Sequence, residues 1–236
     1  NDTIIVQPQW LCRMVSYGQR ADVGIVGARL VYPNKTVQHV GLIGGMGAHG
    51  ICEHVNIGAS MTAPGYLGRS QMTQNLSVVT AACMLVRKTI YDEVGGLDDA
   101  QFKVLFNDVD FCLRVTQRGW KIVWTPVATV LHHGSVSLQS FTDTQDEGRG
   151  HQELREMRER WLSVLANDPA FNRNLSLLRR DVRVDIDIDA RWDPNFHERQ
   201  RIMGFGAGSY GGWKYRVDQP LSALDELGYA QTAMGQ

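Results

Sequence analysis

Runs of apolar residues and the polar breaks between them change period several times, and the changes predict a mixed α/β order. Residues 2–6 are extended, and Pro8 suits the first turn of a helix whose apolar side holds Trp10, Leu11, Met14 and Val15. Residues 23–28 have the composition of a short buried strand. Tyr32-Pro33-Asn34-Lys35-Thr36 is a turn, and residues 37–43 form a second extended piece. Residues 44–68 are glycine-rich and aperiodic, predicting a long loop. Its Ile51, Met61, Tyr66 and Leu67 favour an ordered loop closed over something. Residues 77–87 form a buried strand with small residues in its middle, where a backbone or ligand can approach. A short helix over 88–94 stops at Gly95-Gly96, and a second runs from Asn107 to about Arg118 with Gly119 after it. Residues 121–124 are a strand closed by Thr125-Pro126, and 129–131 lead into His132-His133.

Further on, residues 151–166 carry an amphipathic helix with Leu154, Met157, Trp161, Val164 and Leu165 on one stripe. Glu156 and Arg160 have i,i+4 spacing on it, and Asn167-Asp168-Pro169 ends it. Residues 181–189 alternate strictly and contain D-x-D twice. Their carboxylates are able to bind Ca²⁺, but a charged edge strand protected from aggregation explains them more simply. Asp193-Pro194-Asn195 marks a linker. A strand over 201–205, a glycine loop over 206–212 and a helix over 220–228 then read as the first β-α unit of a Rossmann-like domain, cut off at Gln236. The loop does not fit G-x-G-x-x-G. Three regions result: 1–140, a helical tail and linker over 141–198, and 199–236.

Composition removes several classes of function. With 24 basic and 25 acidic residues the net charge is −1, so no global field points to nucleic acid or an anionic membrane. Cys12, Cys52, Cys83 and Cys112 are scattered without a C-x-x-C pair, which argues against a zinc knuckle or disulfide framework and fits a reducing cytosol. No apolar run approaches the roughly 20 residues of a membrane span. The chain opens at Asn1, without Met, directly in an extended segment, and that start looks like a cut.

The most informative stretch is Asn107-Asp108-Val109-Asp110-Phe111-Cys112-Leu113-Arg114. Carboxylates two apart do not share a helix face, yet both fit the first turn, where free N–H groups and the dipole favour negative charge. An acidic turn anchored by Val109, Phe111, Leu113 and Val115 suits a general base. The competing reading is a plain helix cap.

This stretch stands in a longer series of motifs. Asn1-Asp2-Thr3, Val26-Gly27-Ala28-Arg29-Leu30, Tyr32-Pro33-Asn34, Gln38-His39-Val40-Gly41 and Val79-Thr80-Ala81-Ala82-Cys83 precede it, with Val94-Gly95-Gly96-Leu97-Asp98. Trp124-Thr125-Pro126 and Leu131-His132-His133 follow it. In this order, over roughly residues 1–180, they resemble the C-terminal half of family-2 glycosyltransferases of the GT-A fold, the bacterial polysaccharide and O-antigen type.

The resemblance implies a partial GT-A α/β fold, a Rossmann-like mixed sheet with flanking helices, followed by a helical tail and a truncated β-α unit of a second domain, perhaps of GT-B kind. It implies inverting sugar transfer from a nucleotide-diphosphate donor to a glycan or lipid-linked glycan acceptor in cell-surface polysaccharide synthesis. Asp108 then matches the general base, and Asp2, the surviving end of a D-x-D-like motif, matches a ligand of Mn²⁺ or Mg²⁺. His132, or His133 beside it, matches the histidine completing that site. Thr80, Ala81, Ala82, Gly95, Gly96, Asp98, Asn107, Asp110, Arg114 and His133 fall where such enzymes shape their substrate pockets. Asn107 stands where the family usually has Glu, which leaves a pseudoenzyme as one alternative, and Trp and Tyr residues on loops leave a non-catalytic carbohydrate-binding module as another. The implied setting is the cytoplasm, with peripheral membrane association through regions outside this chain and no nucleic-acid partner. A chain lacking the nucleotide-binding half is expected to be inactive alone. His39, His49 and His54 cluster around the glycine-rich loop, but their spacing favours acceptor contacts or loop roles over a metal.

Overall fold

A computed structural model describes residues 2–47, 49–103, 105–134, 144–184, 200–205, 214–226 and 230–235. The chain forms two compact units, Asn1–Arg191 and Trp192–Gln236.

The first unit is organised by two long parallel strands, β2 (Val23–Val31) and β8 (Lys121–His132). Four short antiparallel strands border them. On β8 lie β6 (Gln74–Leu76), opposite its first half, and β1 (Thr3–Ile5), opposite its end. On β2 lie β7 (Met84–Val86) and β3 (Val37–His39). Every residue of β2 is buried, as a central strand covered on both faces requires. One face is covered by α1 (Trp10–Gly18), whose Met14 joins Val26, Ala28, Leu30, Val123 and Val130. Ile25, Ile122 and Trp124 face a larger core with Val109, Phe111 and Cys112 of α3 (Asn107–Gln117). Met157, Trp161 and Leu165 of α4 (Thr144–Ala166) close that core. The short helix α2 (Lys88–Glu93) precedes α3, and a hairpin of β4 (Leu42–Gly44) and β5 (Cys52–His54) lies within the glycine-rich region. The four cysteines are free.

Several expectations change. Residues 77–87 are not one strand: Val78 makes only an isolated bridge to Leu42, a 3-10 turn occupies Ala81–Cys83, and Met84–Val86 alone forms a strand. Thr80 caps that turn by accepting from the N–H of Ala82, a local bond that competes with the sheet ladder. The pieces at 121–124 and 129–131 are instead one strand with an irregularity. Ala28 pairs with Thr125 and Arg29 with Thr129, leaving residues 126–128 bulged where Pro126 has no N–H to give. Residues 37–43 break at Gly41, whose φ is +122° and where a Cβ would lie 2.5 Å from Leu76. On α1, Leu11 and Val15 are exposed. On α4, Arg160 does not pair with Glu156: it turns to Asp98 and Asp110, and Glu156 accepts from Gln152.

In the second unit β9 (Gln200–Phe205) pairs in parallel with β10 (Ala230–Gly235), with α5 (Gln219–Glu226) between them in sequence. The β-α unit therefore acquires a second strand. A Cβ on Gly204 would lie 2.5 Å from Leu221 and Val217, so the absent side chain lets helix and strand approach closely. The glycine loop, the linker and most of the alternating 181–189 segment lie outside the described residues.

Candidate active site

The first turn of α3 presents its two carboxylates to different surroundings. Phe106, just before it, adopts a left-handed φ of +63°, and its carbonyl accepts from the N–H of Asp110 at 2.8 Å. Asp108 is half-buried. Its Oδ1 accepts from the N–H of Val109 at 2.9 Å and its Oδ2 from the N–H of Ala81 at 3.0 Å. The broken strand thus explains the contact: a regular ladder would have turned the Ala81 N–H into the sheet. Ala81 stands beside Asp108, between Thr80 and Ala82, with Asn107 next to Asp108 in the chain.

At about 100° per residue, Asp110, Arg114 and Gln117 lie roughly 180–240° around α3 from Asp108. Asp110 is 0% exposed. It accepts from Arg114 Nε at 2.7 Å, Arg160 Nη1 at 2.8 Å and Trp161 Nε1 at 2.9 Å. Arg114 carries the network onward to the carbonyls of Val94 and Gly96, and Arg160 to Asp98. An open cavity of about 600 Å³ lies along this side, lined in part by Gly95, Leu97, Asp98, Arg114 and Arg160. Gly95, Gly96, Asp98, Asp110 and Arg114 are therefore gathered together, on the far face of the helix from Asp108. Asp110 has its oxygens committed to protein donors and holds the frame instead of facing a ligand.

Asp2 and His132 meet at the C-terminal end of β8. Thr3 pairs with His132, and the N–H of His133 donates to the Asp2 carbonyl at 3.0 Å. The side chains of Asp2 and His133 are exposed. His132 Nδ1 is 2.6 Å from Gln38 Oε1. That oxygen only accepts, so Nδ1 carries the proton and Nε2 keeps its lone pair. Burial lowers the His132 pKa below the usual imidazole value, with Asp2 pulling the other way. Among the described residues no hydrogen bond or ion pair joins Asp108 to Asp2 or His132. No group of three or more His, Cys, Asp or Glu side chains among them forms a metal site. A carboxylate and a neutral imidazole do suit a divalent ion that takes its remaining ligands from phosphate and water.

His39 and His54 face each other with Nδ1 atoms 3.1 Å apart, and burial lowers both pKa values. His49 lies apart from them, its carbonyl accepting from Arg158. Sequence reasoning missed the carboxylates that fasten α4. Glu153 accepts from the N–H groups of Lys103 and Leu105, in the loop entering α3. Asp168 accepts from the N–H groups of Gly44 and Ala170 and from the Ser77 hydroxyl. Asn-Asp-Pro signals a helix stop, and nothing local tells what its carboxylate reaches.

A two-strand parallel spine edged by short antiparallel strands, with helices on both faces and an acidic helix start beside a broken strand, is a partial GT-A-type, Rossmann-like α/β fold. Residues 1–162 match the family described as Glycosyltransferase like family 2, and the chain belongs to that family. It is 39% identical over 181 residues to the uncharacterized protein y4gI of Sinorhizobium fredii, covering 77% of this chain and 20% of that protein. It is 33% identical over 193 residues to the O-antigen biosynthesis protein RfbC of Myxococcus xanthus, covering 77% of this chain and 14% of RfbC. A shorter match, 40% over 55 residues, covers 23% of this chain and 18% of the N-acetylglucosaminyl-diphospho-decaprenol L-rhamnosyltransferase of Mycobacterium tuberculosis. The chain spans about a fifth or less of these relatives' lengths.

Proposed function

We propose that this domain takes part in inverting transfer of a sugar from a nucleotide-diphosphate donor to a glycan or lipid-linked glycan during cell-surface polysaccharide synthesis, at the cytoplasmic side. The observation that carries this reading is Asp108: a half-exposed carboxylate hydrogen-bonded, among the described residues, only to main-chain N–H groups, on the face of α3 away from the salt-bridge network. In the proposed step Asp108 accepts the proton of an acceptor hydroxyl while that oxygen bonds to the anomeric carbon. The bond from that carbon to the diphosphate breaks, and its electron pair leaves with the nucleotide. The turn at residues 80–83 holds the carboxylate in place through the Ala81 N–H.

Asp2 and His132 would hold a divalent cation, which neutralises charge on the departing diphosphate. Gln38, accepting from Nδ1, favours the His132 tautomer whose Nε2 keeps its lone pair for a metal. Asp110, Arg114 and Asp98 act in this reading as the frame that sets the angle of α3.

The test is turnover of nucleotide-diphosphate sugars by the full encoded polypeptide, with Mn²⁺ and with Mg²⁺. Asp108→Asn should lower transfer by about 10²–10⁴-fold while leaving donor binding intact. Transfer that proceeds unchanged in that variant removes the base assignment. Gln38→Ala should raise the Mn²⁺ concentration needed for half-maximal rate by about 10–100-fold.

A further inference from the structure

One residue of the Gln38-His39-Val40-Gly41 motif has no part in the step proposed above. The His39 imidazole is 0% exposed, and its Nε2 is buried without a hydrogen-bond partner among the described residues. A buried polar atom left unpaired costs stability, so its presence calls for a reason. Its other ring nitrogen, Nδ1, meets Nδ1 of the half-buried His54 at 3.1 Å, and the two rings lie edge to face with centroids 5.1 Å apart.

Strand pairing brings this couple close to the first turn of α3. His54 of β5 lies opposite Leu42 of β4, and Leu42 is bridged to Val78. Directly opposed residues of antiparallel strands share a face, so His54, Leu42 and Val78 point the same way. Leu42 and Val78 share a core with Val109 and Cys112 of α3, and Ala81, soon after Val78 in the chain, donates to Asp108. The charges agree with this placement. Burial lowers the His54 pKa, Asp108 and then Glu53 pull it back up, and Arg180, the ion-pair partner of Glu53, adds to the lowering. Burial lowers His39 as well, and among the described residues the only charge acting on it is that of His54. The carboxylates therefore lie at the His54 end of the pair. Asp108 accepts from main-chain N–H groups and acts on His54 through charge.

Two neutral imidazoles this close share one proton across the gap, and their surroundings choose its owner. If His54 donated from Nδ1, its Nε2 would keep a lone pair in the field of two carboxylates. His39 would then carry its own proton on the orphaned Nε2, a buried N–H without an acceptor. If His39 donates from Nδ1, the His54 proton sits on Nε2, where negative charge attracts it. The second arrangement suits both rings.

We propose that His39 and His54 are a positioning pair for Asp108, in which His39 fixes His54 as the Nε2–H tautomer and the His54 N–H dipole steadies the carboxylate that accepts the proton. The role given to Asp108 here rests on the sugar-transfer reading. The whole chain, labelled with a nitrogen isotope visible to NMR, reports which nitrogen of each ring is protonated. The expected result is a proton on Nδ1 of His39 and on Nε2 of His54. Asp108→Asn should shift the ring nitrogens of His54 and leave those of His49, which lies apart, unmoved. In the full encoded polypeptide, His39→Leu fills similar space and removes the orphaned nitrogen. Its melting temperature should stay near that of the parent while kcat falls several-fold with little change in KM. His39→Asn, whose amide N–H can stand in for Nδ1–H, should restore kcat. Protons on Nε2 of both rings would leave two lone pairs facing each other, a pair built for a cation, and would overturn the proposal. So would a proton on Nδ1 of His54, or a His39→Leu variant with the parent's kcat where Asp108→Asn has lost transfer. A kcat that falls only in step with melting temperature, without recovery in His39→Asn, would reduce the pair to a structural one. Asp108→Asn without effect on transfer would instead overturn the base assignment, and the positioning role with it.

Discussion

Asp108 and Asp110 differ by two positions and one chemistry. Both are carboxylates in the first turn of α3, and they meet opposite surroundings. Asp110 is sealed among Arg114, Arg160 and Trp161 and binds the loop before α3 and the later helix α4 to it. Among the described residues Asp108 accepts hydrogen bonds only from backbone N–H groups, and it stays half open. A two-residue step on a helix turns the side chain by about 200°, enough to put one acid in the frame and leave the other half exposed. The lesson is that a D-x-D spelling at a helix start names two groups of unlike role, and a buried, charge-saturated neighbour keeps the exposed one rigid.

The sharpest way to test that contrast is activity. Asp108→Asn in the full encoded polypeptide should lower turnover by about 10²–10⁴-fold, the usual worth of a general base, with a melting curve nearly that of the parent. Asp110→Ala should do the reverse in order of cause. It leaves two arginines and the Trp161 N–H without their partner and should cost about 3 kcal/mol in urea unfolding, with any loss of activity following the loss of fold. If Asp110→Ala keeps full stability and Asp108→Asn unfolds the chain, the division between a framing acid and an exposed one is wrong.

A smaller effect is expected at Asp168→Ala, about 1–3 kcal/mol, because the Gly44 N–H, the Ala170 N–H and the Ser77 hydroxyl all lose their acceptor. Burial is the largest influence on Asp168 and raises its pKa above 3.8. Its titration then contributes stability that is fully present below 3.8 and is lost as pH rises through the raised folded value. Relative to the parent, Asp168→Asn should therefore gain stability across that window as pH increases, because the variant does not ionise there.

Asp22 gives the smallest and opposite case. Hydrogen bonds from Lys121 and Arg20 hold its pKa down at about 2. Its contribution is present above the ordinary 3.8 and lost as pH falls through about 2. Removing it by Asp22→Asn should change the melting temperature slightly at neutral pH, less at high salt, and not at all at the acid end.

Much of the first unit was legible in its pattern. The apolar run at 23–28, the glycine stops after Val94 and Arg118 and the stripe on α4 all reappear as elements, because burial and backbone conformation act locally through residue type. Other features were not legible for reasons that can be named. The 77–87 stretch has a strand's composition, yet Thr80 bonds its own backbone and bends the chain so that Ala81 meets an aspartate 27 residues away. Glu156 and Arg160 have the spacing of a helix pair, but a buried carboxylate on another helix outcompetes an exposed one, since a charge out of water gains more from its partner. Asp168 looked like a helix stop because its partners, at residues 44 and 77, are distant in sequence.

By itself, the order of motifs determined the family and the kind of fold, and it singled out Asp108, Asp2 and His132 as groups worth watching. Which acid stays half exposed and which is locked into the frame was decided only by tertiary structure. Helical phase turns the two carboxylates apart, and the charges that α4 brings from about fifty residues away choose between them.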